Sequence, residues 1–139
     1  MIRDFLMSGR LRDVKLGMPI SNALNILGEP NAVGKGLRGW TIESYSGGCL
    51  QIAHSKGIVG LIGIYFDPDK VGSPILPTAL ECEIPFSSRT TLCEFRNYLD
   101  EHSIAYEPDT RLRDAVALKV GAGIVANFED DQLRSLLIS

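Results

Sequence analysis

From residue 40 onward the apolar residues of this chain recur at every second position in short runs, and each run is closed by a tight-turn signal. This is the pattern of half-buried antiparallel strands joined as a meander. Trp40 to Tyr45, Cys49 to His54 and Ile58 to Phe66 read as three such strands, divided by Ser46-Gly47-Gly48 and Ser55-Lys56-Gly57. Gly60 and Gly63 interrupt the third run and mark bulges or places where other groups approach closely. Ala115 to Val120, Gly123 to Glu129 and Gln132 to Ile138 read as a second meander, turning at Gly121-Ala122 and Glu129-Asp130-Asp131.

A helix precedes each meander. Ile20, Ala23, Leu24 and Leu27 form one apolar stripe, with Pro19 suited to the first turn, Gly28 to the cap and Pro30 preventing continuation. Thr91-Leu92-Cys93-Glu94 has capping-box spacing, and Leu92, Phe95 and Leu99 share a face of a helix running to about His102. Ile2 to Met7 suggests a further short helix or tucked arm. Gly34 and Gly36 read as loop glycines, 67–77 as a loop, Leu80 to Phe86 as a strand and Ile104 to Glu107 as a short strand. The expected fold class is therefore α+β. Two helix-plus-antiparallel-meander units, residues 1–70 and 71–139, build one sheet with the helices on one face, in a single domain over 1–139.

Charge narrows the function. The chain has 139 residues and a net charge of -3. Residues 1–70 hold 8 basic and 6 acidic residues (+2), and residues 71–139 hold 6 basic and 11 acidic (-5). An acidic balance disfavours nucleic acid as a partner, and no run is apolar enough for a membrane span. With no signal-peptide pattern at Met1 to Arg10 and three widely spaced cysteines, Cys49, Cys82 and Cys93, a cytoplasmic location is expected.

No catalytic motif and no metal-ligand spacing is present, so neither a cofactor nor a catalytic residue is assigned. His54 and His102 read as structural residues, and Glu129 to Asp131 as turn chemistry. Glu81 and Glu83, two apart on an expected strand, would share one side and could receive a basic partner. Glu107 and Asp109 extend that acidic set. Trp40 and Tyr45 fall on opposite faces of their strand, so one of them is available to anchor an interface.

The run Leu16-Gly17-Met18, the helix, Leu27-Gly28-Glu29-Pro30, Trp40 and Gly63-Ile64-Tyr65-Phe66-Asp67 resembles a loose group of small bacterial proteins, some of them suspected immunity proteins of polymorphic toxin systems. The closing strand Gly123 to Glu129 is similar as well. The Leu-Gly-x-Pro helix end is also similar to the outer-membrane assembly lipoprotein fold and to the β-lactamase inhibitory protein, which binds an enzyme through helix-and-meander repeats. The chain departs from these in carrying Pro19 where such helices carry a Ser or Thr cap, and in lacking a lipoprotein signal. The resemblance implies a non-enzymatic protein-binding module, an immunity protein occluding a basic toxin domain, and transfers no functional residue. Two other readings stand beside it. One is an enzyme or small-ligand binder with a pocket between sheet and helices, using His54, Cys49 and Glu43. The other is an edge-to-edge homodimer.

Overall fold

The structure, a computed structural model, describes residues 2–112 and 115–139, with the backbone alone at 109–112. Three helices are present, α1 (Ile2–Ser8), α2 (Ile20–Leu27) and α3 (Leu92–Glu101). Eight strands follow the chain order β1 (Ala32–Lys35), β2 (Thr41–Tyr45), β3 (Leu50–Ser55), β4 (Ile58–Tyr65), β5 (Tyr106–Leu112), β6 (Ala115–Val120), β7 (Ile124–Glu129) and β8 (Gln132–Ile138). They form one sheet in the order β1-β2-β3-β4-β8-β7-β6-β5, every pair antiparallel. The fold is thus α+β. Among the described residues no helix is long and apolar enough to cross a membrane.

The two halves repeat at a fixed interval of 74 residues. Strand starts run from 32 to 106, 41 to 115, 50 to 124 and 58 to 132. The register shifts recur at the same interval, Ala53/His54 in β3 and Asn127/Phe128 in β7. So do the last hairpin turns. Lys56 and Gly57 have φ of 54 and 78, and Asp130 and Asp131 have φ of 52 and 59. Two consecutive left-handed residues match the twist of the flanking strands in a two-residue hairpin.

Each hairpin also fastens the start of its own helix. The Ile20 amide donates to the Gly57 carbonyl at 2.8 Å, and the Val59 amide to the Met18 carbonyl at 3.0 Å. In the second half the Leu92 amide donates to Asp131 Oδ1 at 3.2 Å, and the Leu133 amide to the Thr90 carbonyl at 2.9 Å. Orphan amides at a helix start need such acceptors, and a carboxylate there also suits the helix dipole.

The meanders join where β4 pairs with β8, Ile62 with Ile138, Gly63 with Leu137, Ile64 with Leu136 and Tyr65 with Ser135. Gly63 and Leu137 occupy equivalent places in the repeat and face each other, so the local two-fold axis passes between them. A Cβ at Gly63 would stand 2.7 Å from both Leu137 Cδ2 and the Tyr65 ring. A side chain at Gly63 would require the ends of Leu137 and Tyr65 to move aside.

Register decides which side chains form the core. Tyr45, Leu50, Ile64, Leu136 and Ala126 are successive cross-strand partners and all are buried. Contacts from each helical segment reach this face. Ile138 fills the space beside Gly9 after α1, the Tyr45 hydroxyl donates to the Gly28 carbonyl after α2 at 2.8 Å, and the Phe95 ring of α3 lies 5.5 Å from that of Phe128.

Four expectations change. Ala32 to Lys35 is an edge strand, so Gly34 sits within β1 rather than a loop, and each half has four strands. Pro19 is the residue before the helix rather than its first, with φ -61 and ψ 138. Ile104 to Glu107 gives way to a longer β5. Leu80 to Phe86 is not a strand. A short 3-10 turn spans Thr78–Leu80, Glu81 is left-handed, and only an isolated bridge joins Ile75 to Glu83. Leu80, Ile84 and Phe86 still bury alternately, because this irregular segment is laid against the core.

The capping box at α3 is complete. Thr91 Oγ1 accepts from the Glu94 amide at 3.2 Å, and the Thr91 amide donates to Glu94 Oε1 at 3.1 Å. Thr91→Ala is expected to cost about 1 kcal/mol, seen as a fall of about 3 °C in the midpoint of thermal unfolding by circular dichroism, with Thr91→Ser retaining most of it.

Candidate functional site

Two surfaces carry the groups with functional potential, and they are continuous. The first is the sheet face opposite the buried one. Alternation along the strands places Ile42, Leu61, Tyr65, Val125 and Leu137 there, all half-buried. Trp40, preceding β2, lies over Gly60, where a Cβ would collide with its ring, and remains 37% exposed. Both strand glycines therefore serve close approach, Gly60 to Trp40 and Gly63 to Tyr65 and Leu137. Gln51, Asn127 and Ser135 supply polar groups on the same face, with Asn127 Nδ2 donating to Ser135 Oγ at 3.0 Å.

The second is a cleft of about 770 Å³ at one end of that face. Its floor includes Gln51 and Tyr65, and its walls come from the 46–48 turn, the 67–75 loop and Arg134. Hydrogen bonds hold these walls together. Ser88 Oγ donates to the Lys70 carbonyl at 3.3 Å, Arg134 donates to the Ser88 carbonyl at 3.2 Å, and the Phe66 amide donates to the Arg134 carbonyl at 2.8 Å. Cys49 Sγ lies 3.0 Å from the Ser46 carbonyl as its donor. Burial pushes the Cys49 thiol above its ordinary range, partly offset by that hydrogen bond and by the Lys70 charge. Burial likewise raises the Tyr65 hydroxyl.

The residues singled out from the sequence are dispersed. Glu81 is exposed and pairs with Arg12 at 2.8 Å, and Glu83 is exposed in irregular chain, so with no strand there they form no same-side stripe. Glu107 is exposed on edge strand β5 opposite Lys119. Asp109 has its side chain outside the described residues. Trp40 is at the surface, whereas Tyr45 is only 3% exposed and bonded to Gly28, which makes it a core residue and not a contact. Burial raises the Tyr45 hydroxyl, and the negative charge of Glu43 adds to this.

His54, Cys49 and Glu43 do not converge. His54 Nε2 lies 3.2 Å from Glu43 Oε1 on the buried face, and Glu43 Oε2 is buried without a partner. Cys49 stands in the turn before β3, beyond Leu50, which is itself about 13 Å from His54 at extended spacing. The carboxylate–imidazole pair therefore does not include the Cys49 thiol. Sequence reasoning missed the cleft cations Lys70 and Arg134, which are joined only by the fold. The one available signal was the Pro-, Gly- and Ser-rich composition of 67–77, which marks a loop but no ligand. Compared with known proteins, the chain matches no family model, no curated sequence and no solved structure.

Two measurements check these environments. Cys49, Cys82 and the tyrosines Tyr45 and Tyr65 hold their protons more tightly folded than unfolded. Their contribution to stability is complete below the ordinary values of 9.0 and 10.0 and is lost as pH climbs through the raised ones. The urea midpoint should be level up to about pH 9 and fall beyond it, less steeply in Tyr45→Phe, which also loses about 1 kcal/mol with its hydrogen bond. Mass spectrometry after iodoacetamide treatment at neutral pH should find exposed Cys93 alkylated well before half-buried Cys49 and Cys82.

Proposed function

We propose that this protein is a non-enzymatic protein-binding module of the cytoplasm, an immunity protein that neutralises a toxin by covering its working surface. One observation carries the reading: the sheet face away from the core displays Trp40, Ile42, Leu61, Val125 and Leu137, a set too apolar to be ordinary solvated sheet surface. An exposed aromatic with half-buried aliphatic neighbours on a sheet has the composition of an interface. The acidic excess of residues 71–139 supports a basic toxin domain as the partner, by long-range steering. The contact surface in this reading is the apolar face and not the acidic residues, of which Glu81 is already paired with Arg12.

The test is co-expression with the toxin-like product of the adjacent gene. Rescue of growth and co-purification are expected. Trp40→Ala and Leu61→Asp should each weaken the complex by about thirtyfold or more in titration calorimetry, with folding retained by circular dichroism. Absence of both rescue and co-purification would sink the reading. Binding that persists within about twofold in both variants would move the interface off this face.

A further inference from the structure

The geometry points to a second binding site on this chain: the cleft beside Lys70 and Arg134 takes a small amphipathic anion, a carboxylate or phosphate head on an apolar body. Its volume of about 770 Å³ falls in the range of small-molecule sites. Charge defines the head. Lys70 and Arg134 both line the cleft, and among the described residues neither has a carboxylate within the 4.0 Å of an ion pair. The lining holds one acid, Asp67, whose Oδ1 accepts from the Asp69 amide at 2.9 Å. This local excess of positive charge runs against the net charge of -3.

Donor counting leaves capacity for an anion. A guanidinium has five N–H donors, of which Arg134 commits three, to the Ser88 and Leu133 carbonyls and to Gln132 Oε1. An ammonium has three, of which Lys70 commits one, to the Gly47 carbonyl at 3.4 Å. Four donors thus remain on two cations, enough for the lone pairs of one carboxylate or one phosphate face. The apolar body has its own wall. Val71 and Ile75 line the cleft while 87% and 81% exposed, so an apolar ligand would remove them from water. Ser88 ties down the Lys70 main chain and accepts at its own carbonyl from Arg134, so the frame of the cleft exists before a ligand arrives.

Calorimetric titration of the purified chain alone tests the site, independently of any protein partner. Octanoate and octyl phosphate should bind at least about tenfold more tightly than octan-1-ol, which lacks the charge, or inorganic phosphate, which lacks the apolar body. The tighter of the two octyl anions identifies the preferred head. Lys70→Glu, at an exposed position that the core does not use, should weaken both by about tenfold with unchanged thermal unfolding. In a Cys82→Ser, Cys93→Ser background, saturating octanoate should slow alkylation of Cys49, which lines the cleft. Equal binding of octan-1-ol, an affinity unmoved by Lys70→Glu, or Cys49 left unprotected would each overturn the proposal.

Discussion

The pairing of β4 with β8 is the interaction on which the rest of the molecule depends. Each half alone is a four-stranded meander, with two helices in the first half and one in the second, too small to bury its own apolar face well. Joined edge to edge, the two meanders remove both inner edges and present one continuous apolar surface, from Tyr45 through Ile64 and Leu136 to Phe128. The starts of α2 and α3 are then held by main-chain bonds from the hairpins nearest that join, Val59 to Met18 and Leu133 to Thr90, while the turn after β6 holds α1 through Ala122 to Met7. The seam thus places α2 and α3 as well as the strands.

Burying one face leaves the other to function. Side chains alternate along a strand, so the apolar residues that remain on the far face of a sheet carry no debt to the core. On this molecule Gly60 and Gly63 leave room for Trp40, and for Tyr65 and Leu137, to approach the sheet closely. The cleft forms where β4 ends and the chain leaves the sheet, because a loop returning across the strand ends must enclose space beside them. Glu43 and His54, on the buried face, are tied to each other, and the cleft of about 770 Å³ lies at the sheet end.

Much of the architecture was legible because local chemistry and the global fold agree. Pro19 and Gly28 bracket α2, Thr91 and Glu94 start α3, and turn residues separate six of the eight strands at or near their true ends. β1 escaped because Ala32-Val33-Gly34-Lys35 is short, fully exposed and has no alternation to read. Leu80 to Phe86 misled for the opposite reason. Its alternation is real, but Pro85 has no amide to donate and Glu81 turns left-handed, so no ladder can form. The site was less legible than the fold. Lys70 and Arg134 are distant in sequence, and nothing in either neighbourhood announces the other, whereas the acidic pair Glu81 and Glu83 looked meaningful only on a strand that does not exist.

The position of Gly63 opposite Leu137 also says something about the history open to such a chain. Two copies of the first half, joined as the halves are joined here, would set glycine against glycine and leave a gap on the axis. Two copies of the second would set leucine against leucine, a bulkier pair on the same rung. Either symmetric arrangement would place two like residues on the axis. A chain with unlike halves can instead set one large side chain against one absent one across the seam, which leaves room for the Tyr65 ring beside them.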